Sequence, residues 1–190
     1  ISGHKFGAPR GVGALSVAKG SRLTPLILGG SQEKRRRAGT ENVAGAMGMA
    51  AAAQVSLARI SPAHHEATRA KRSRLIDGLR TIGGVEVNAT DPVVQETVSV
   101  RFEGIRADAL ADALDMEGIY LSTGSACSAG EDAVSHVLTA QGLTEDQARS
   151  AVRLSFGAEL SHDDIDRVVA AATQAVDRLR RTAGTGVVVR

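Results

Sequence analysis

Ser2-Gly3-His4-Lys5-Phe6, followed at once by Pro9-Arg10-Gly11-Val12-Gly13, is the stretch from which the rest of the chain is read. It sets a hydroxyl, an imidazole and a primary amine within four positions, between glycines that let the backbone turn tightly. A neutral amine is a nucleophile toward carbonyl groups. Hydroxyl and imidazole donors beside it suit an anion. Far downstream, Gly124-Ser125-Ala126-Cys127-Ser128 carries the only thiol among small residues that give a loop freedom to move. Each has an ordinary alternative. Lys5 can be a surface lysine in a turn, His4 a surface histidine, and Cys127 a small buried hydrophobe.

The composition sets limits on the class. With 190 residues, 43% apolar and 23% charged, the chain has enough material for one sizeable core or somewhat more. Aromatics are only 2%, so that core must rest on Ala, Val, Leu and Ile. The net charge of +2 is accounted for by Lys34-Arg35-Arg36-Arg37, a run read as solvated or as a subunit or acidic-partner contact. With so few rings to stack on bases, a nucleic-acid partner is not expected. A single cysteine excludes an internal disulfide and an intrinsic iron–sulfur or cysteine-rich zinc site. No apolar run approaches the roughly 18 residues of a membrane span, and the first residues, Ile1-Ser2-Gly3-His4-Lys5, lack the charged-then-apolar layout of a signal peptide. A cytoplasmic protein is expected, with no membrane partner. The start at Ile1, without Met, is read as a fragment, a processed chain, or a chain whose upstream part is missing from these residues.

Periodicity predicts strands over 12–18, Leu26–Leu28, Val85–Val87, Thr97–Phe102, Ile119–Ser122 and Val152–Phe156. Helices are predicted from Asn42 to about Ile60, from Pro62 to about Ile82, from Ala107 to Met116, from Val134 to Ala140, and from Ser161 onward. In the last, Ile165, Val168, Val169, Ala172, Val176 and Leu179 share one face. Thr144 to Gln147 has the layout of a capping box. Residues 31–40 read as a polar loop, and Thr40 as a possible helix cap. The tail 185–190 reads as a frayed end or an edge strand. A composition shift near Ile60-Ser61-Pro62 divides the chain into 1–60, the remainder of a larger domain, and 61–190, a complete α+β domain.

Four motifs in one order carry a family resemblance. Ser2-Gly3-His4-Lys5-Phe6 with Pro9-Arg10-Gly11-Val12-Gly13 resembles the lysine segment of cysteine desulfurases of the NifS/IscS kind, in the class V aminotransferase family. Gly29-Gly30-Ser31-Gln32-Glu33 through Ala38-Gly39-Thr40-Glu41-Asn42 resembles their next motif. Ser122-Thr123-Gly124-Ser125-Ala126-Cys127-Ser128, followed by Ser135-His136-Val137-Leu138, is similar to their cysteine loop. Val152-Arg153-Leu154-Ser155-Phe156-Gly157 is similar to their substrate-arginine strand. The match covers nearly the whole of this chain but only the C-terminal half of the family's. Ser31 and Arg35 stand where the family usually has glycine, and Ala8 replaces a glycine before Pro9.

The resemblance implies an α/β protein of the fold type I class of pyridoxal phosphate-dependent transferases, here a partial large domain plus the small C-terminal α+β domain. It implies pyridoxal 5'-phosphate as cofactor, bonded through Lys5 and held at its phosphate by Ser2 and His4, and by Thr40 reaching across a homodimer. Arg153 would clamp the carboxylate of L-cysteine, its alternative being a strand-edge ion pair. Cys127 would take the sulfur as a persulfide and pass it to an acceptor, an iron–sulfur scaffold or a sulfur carrier. The implied reaction is conversion of L-cysteine to L-alanine. The alternatives are a selenocysteine lyase, or a catalytically incompetent piece acting in dimer or scaffold binding, since the upstream half of the pocket is not in these residues.

Overall fold

The structure, a computed structural model, describes residues 1–89, 92–123, 134–157 and 159–184. The chain divides into two compact units, Ile1–His64 and His65–Arg190.

The first unit opens with a single 3-10 turn, Gly3–Phe6. Two backbone hydrogen bonds, Gly3 N–H to Val12 C=O and Ala14 N–H to Ile1 C=O, both 2.9 Å, close the segment after it back onto the start. The strand expected over 12–18 does not form, and only an isolated bridge joins Ser2 to Gly13. Nor is there a strand at Leu26–Leu28, where Leu26 is 96% and Leu28 80% exposed. Alternation in sequence selects which side chains would face a core. A strand exists only where a neighbour completes its ladder, and among the described residues these segments find no more than the single bridge at Gly13.

The loop at 31–40 contains one short turn, α1 (Gln32–Arg35), with Glu33, Lys34 and Arg35 all at positive φ, Arg35 at +62°. This conformation costs an L-residue about 1–2 kcal/mol and a glycine almost nothing. Arg35→Gly is therefore expected to stabilise the chain by about 1 kcal/mol, seen as a higher thermal midpoint. A lowered midpoint would show that the Arg35 side chain contributes more than its backbone costs. Helix α2 (Val43–Ala58) follows, as its Ala and Met content predicts.

The second unit holds a three-stranded antiparallel sheet, β1 (Val85–Val87), β2 (Thr97–Phe102) and β3 (Ala151–Ser155), in the order β1-β2-β3. Its helices are α3 (Pro62–Arg80), most of which lies in this unit, α4 (Ala107–Asp115), α5 (His136–Ala140), α6 (Glu145–Arg149) and α7 (His162–Gly184). Every second residue of β2, namely Val98, Val100 and Phe102, is buried. These meet Val152 and Leu154 of β3, Leu110 and Leu114 of α4, Leu75 and Leu79 of α3, and Ile165, Ala172 and Val176 of α7 in one core. The opposite face of the sheet is polar. Helices over one face and a polar second face make this an α+β layer pair.

Local signals place the ends of several elements as expected. Thr144 and Gln147 form the capping box of α6, and Gly118 and Gly142 adopt positive φ just past α4 and α5. Ser135 caps α5, which begins at His136 rather than Val134. The strand expected at Ile119–Ser122 is reduced to one bridging residue, Ser122. Arg72, a buried cation on α3, donates to the Thr97 carbonyl at the start of β2. Gly78 lets α3 and α7 approach closely, since a Cβ there would lie 2.6 Å from a Val169 methyl. The same two helices share a two-bond ion pair, Arg74 with Asp166 at 2.8 and 2.6 Å, and hydrogen bonding from that guanidinium holds the Asp166 carboxyl below its ordinary range. The pair is exposed and contributes little net stability.

Candidate active site

The 3-10 turn is built by its glycines. Gly3 lies against the Val12 carbonyl so closely that a Cβ would come within 2.8 Å of that oxygen. Gly7, at φ +92°, ends the turn in the left-handed region and sends its N–H back to the Gly3 carbonyl. The Lys5 N–H bonds the Ser2 carbonyl at 3.1 Å. Ser2, His4 and Lys5 are exposed, while Gly3 beneath them is buried. The Ser2 hydroxyl and His4 Nδ1 lie 3.1 Å apart, so the two are already drawn to one spot. A hydroxyl, an imidazole and an adjacent amine on one short turn are groups suited to a phosphate ester with a reactive carbonyl. The residues fit such a group.

Thr40 is exposed, next to Gly39 at φ +99°. The capping role weighed for Thr40 belongs to Asn42, whose side-chain oxygen accepts from the Gly45 N–H at 2.9 Å. Asparagine is as good a cap as any residue and lies directly before the helix, so it outcompetes a threonine two positions upstream.

In the second unit Arg153 lies on β3, an edge strand, with its side chain exposed on the polar face of the sheet. Its backbone is paired with Ser122 by two hydrogen bonds, Ser122 N–H to Arg153 C=O at 3.0 Å and Arg153 N–H to Ser122 C=O at 2.7 Å. The first residue of the 122–128 motif is thereby docked beside the arginine of the 152–157 motif. The ion pair weighed as the alternative for Arg153 is not seen among the described residues. Cys127 lies outside the described residues.

The same face carries groups that sequence reading did not single out. Ser99 stands directly opposite Arg153 in the β2–β3 register. Asn88, just past β1, donates from Nδ2 to Ser99 Oγ at 3.0 Å, and accepts at Oδ1 from Arg101 at 2.9 Å. Arg101 also bonds the Glu86 carboxylate. The alternation of β2 indicates that Ser99 and Arg101 leave the same face. That they meet Asn88 and Arg153 depends on strand register, which the sequence does not state.

No group of three or more metal-ligating side chains occurs among the described residues. No single helix among them is long and apolar enough to cross a membrane.

Comparisons with known proteins agree on one family. The model of the aminotransferase class V family matches residues 1–168. The cysteine desulfurase IscS of Methanosarcina thermophila is 40% identical over 181 residues, which is 95% of this chain and 45% of that protein. Among solved structures, a NifS-like protein superposes with a TM-score of 0.81 at 31% identity, over 94% of this chain and 46% of that one. SspA, solved in complex with cysteine, gives a TM-score of 0.60 at 33% identity, over 82% of this chain and 42% of its own. The chain thus spans about half the length of the curated relatives it matches.

Proposed function

From the premise that this chain belongs to the aminotransferase class V family, with the α/β fold of its pyridoxal phosphate-dependent members, we propose that the protein carrying it is a cysteine desulfurase. In this reading it converts L-cysteine to L-alanine and leaves the sulfur on Cys127. The observation that carries the reading is the double backbone pairing of Ser122 with Arg153, which sets the first residue of the cysteine motif beside an arginine with no described side-chain partner.

Ser2 and His4 are the residues that would hold the phosphate of pyridoxal 5'-phosphate, through hydroxyl and imidazole, and Lys5 is the amine that would bond its aldehyde. Thr40 serves the phosphate of the other subunit in a homodimer. The cofactor, when bound, withdraws electrons from the attached amino acid and so makes its carbon–sulfur bond breakable. Once displaced by substrate, the Lys5 amine moves a proton at the substrate α-carbon. The Arg153 fork binds the substrate carboxylate bidentately, which fixes the orientation of the side chain to be cleaved. The Cys127 thiolate attacks the substrate sulfur. A sulfur–sulfur bond forms and the carbon–sulfur bond breaks. Its electron pair stays with the β-carbon, which takes a proton and becomes the methyl of alanine. The persulfide then passes its outer sulfur to a carrier or iron–sulfur scaffold protein. The 1–60 segment is the remainder of the cofactor-binding domain and 61–190 the small domain.

The test is turnover by the intact protein loaded with pyridoxal phosphate. L-cysteine should give alanine and, with a thiol reductant, sulfide in equal amounts. Turnover of L-selenocysteine with none of L-cysteine would move the assignment to a selenocysteine lyase, and turnover of neither would end it. A second reading concerns the 190 residues by themselves. The half-length match and the exposed Leu26, Leu28, Met47 and Leu57 of the first unit favour a chain that is catalytically incomplete alone.

A further inference from the structure

On the polar face of the sheet, two arginines differ in their commitments. Arg101 is spent. Its Nη1 donates to Asn88 and its Nη2 to Glu86, and only 18% of its side chain is exposed. Arg153 has no described side-chain partner. The residue directly opposite Arg153 is Ser99, and opposed residues of an antiparallel pair leave the same face with Cβ atoms roughly 4.5–5.5 Å apart.

The bonds on this face have a direction. A guanidinium carries only donors, so Asn88 must turn its carbonyl oxygen to Arg101 and its NH2 to Ser99. Ser99 Oγ is then the acceptor in that bond, and its own proton is left to donate elsewhere. No described residue takes it. The series Glu86, Arg101, Asn88, Ser99 therefore ends in a hydroxyl proton with no described acceptor, on a residue directly opposite Arg153 in the strand register.

Resting on the desulfurase reading, we propose that Ser99 is a second donor to the substrate carboxylate. Its O–H bonds an oxygen of the α-carboxylate that Arg153 holds. Asn88 and Arg101 are positioning residues that fix the direction of that donor. The site so defined takes the carboxylate end of an α-amino acid.

The experiment uses the intact, cofactor-loaded protein. Ser99→Ala should raise KM for L-cysteine about ten-fold, with kcat changed far less, because one hydrogen bond to a charged group is lost. Competitive inhibition by L-alanine should weaken by the same factor. Ser99→Thr keeps the hydroxyl and the strand, and should restore the parent KM. Asn88→Asp should act like Ser99→Ala although Ser99 is present, because a carboxylate at position 88 accepts the Ser99 proton and turns it inward. The double variant should be no worse than Asn88→Asp alone. An unchanged KM in Ser99→Ala, with Arg153→Ala raising KM, overturns the role of Ser99 and leaves the desulfurase reading intact. Failure of Ser99→Thr to rescue, or additive effects in the double variant, overturns it as well. Absence of L-cysteine turnover in the parent protein defeats the reading beneath it.

Discussion

Lys5→Ala in the intact protein is expected to lower L-cysteine turnover by roughly a thousand-fold or more, the scale on which loss of a covalent catalytic group is felt. Structural damage would not explain the loss. The bonds that make the turn are backbone ones, Lys5 N–H to Ser2 C=O and Gly7 N–H to Gly3 C=O, and neither uses the lysine side chain. The side chain is exposed and packs into no core. The unfolding free energy should therefore stay within about 0.5 kcal/mol of the parent's, read from denaturant melts. Lys5→Arg should be as inactive as the alanine variant, because a guanidinium keeps the charge but is never neutral enough to attack a carbonyl. Borohydride reduction of the loaded parent should fix the cofactor covalently at Lys5, and should fix none in either variant. Turnover in Lys5→Ala above a tenth of the parent's would remove Lys5 from the chemistry.

Cys127→Ser is expected to abolish persulfide formation and to reduce alanine release by a comparable factor, while cofactor fixation at Lys5 and the KM-related contacts of Arg153 survive. A thiolate is a strong nucleophile toward sulfur, and a hydroxyl at neutral pH is not. The chain has one cysteine, so the measurement is clean. After incubation with L-cysteine, mass spectrometry should find one added sulfur atom on the peptide containing Cys127 and on no other. Alanine release at the parent rate in the serine variant would show that sulfur leaves without this thiol. Lys5 and Cys127 are thus separable. One variant loses cofactor attachment and all later steps, the other only the sulfur transfer.

The second unit was largely legible in the sequence because its elements are amphipathic. β2 announces itself through Thr97, Ser99 and Arg101 alternating with Val98, Val100 and Phe102, and α7 through Ile165, Val169, Ala172 and Val176 at helical spacing. Such patterns survive because burial of one face is their physical cause. The first unit was less legible. Segments 12–18 and Leu26–Leu28 have strand-like composition without a strand, because pairing needs a partner that no local pattern supplies. At Gln32–Arg35 the sequence showed only a polar loop, and the left-handed backbone of Glu33, Lys34 and Arg35 has no signature in residues that ordinarily avoid it.

The candidate site divides in the same way. Ser2, His4 and Lys5 could be grouped from sequence because covalent connectivity keeps them together, and a short glycine-flanked turn leaves few ways to arrange them. Asn42 could have been chosen over Thr40 from capping chemistry alone. The motifs also named Arg153 and the loop beginning at Ser122, but as separate entities. Only the folded sheet brings Ser122 into a two-bond bridge with Arg153, and Ser99, with Asn88 behind it, across from that arginine. Residue types and spacing determined which chemical groups this protein possesses and which faces they occupy. Strand register decided which of them meet, since a shift of one residue in β2 against β3 would turn Ser99 toward the core and leave Arg153 opposite a valine.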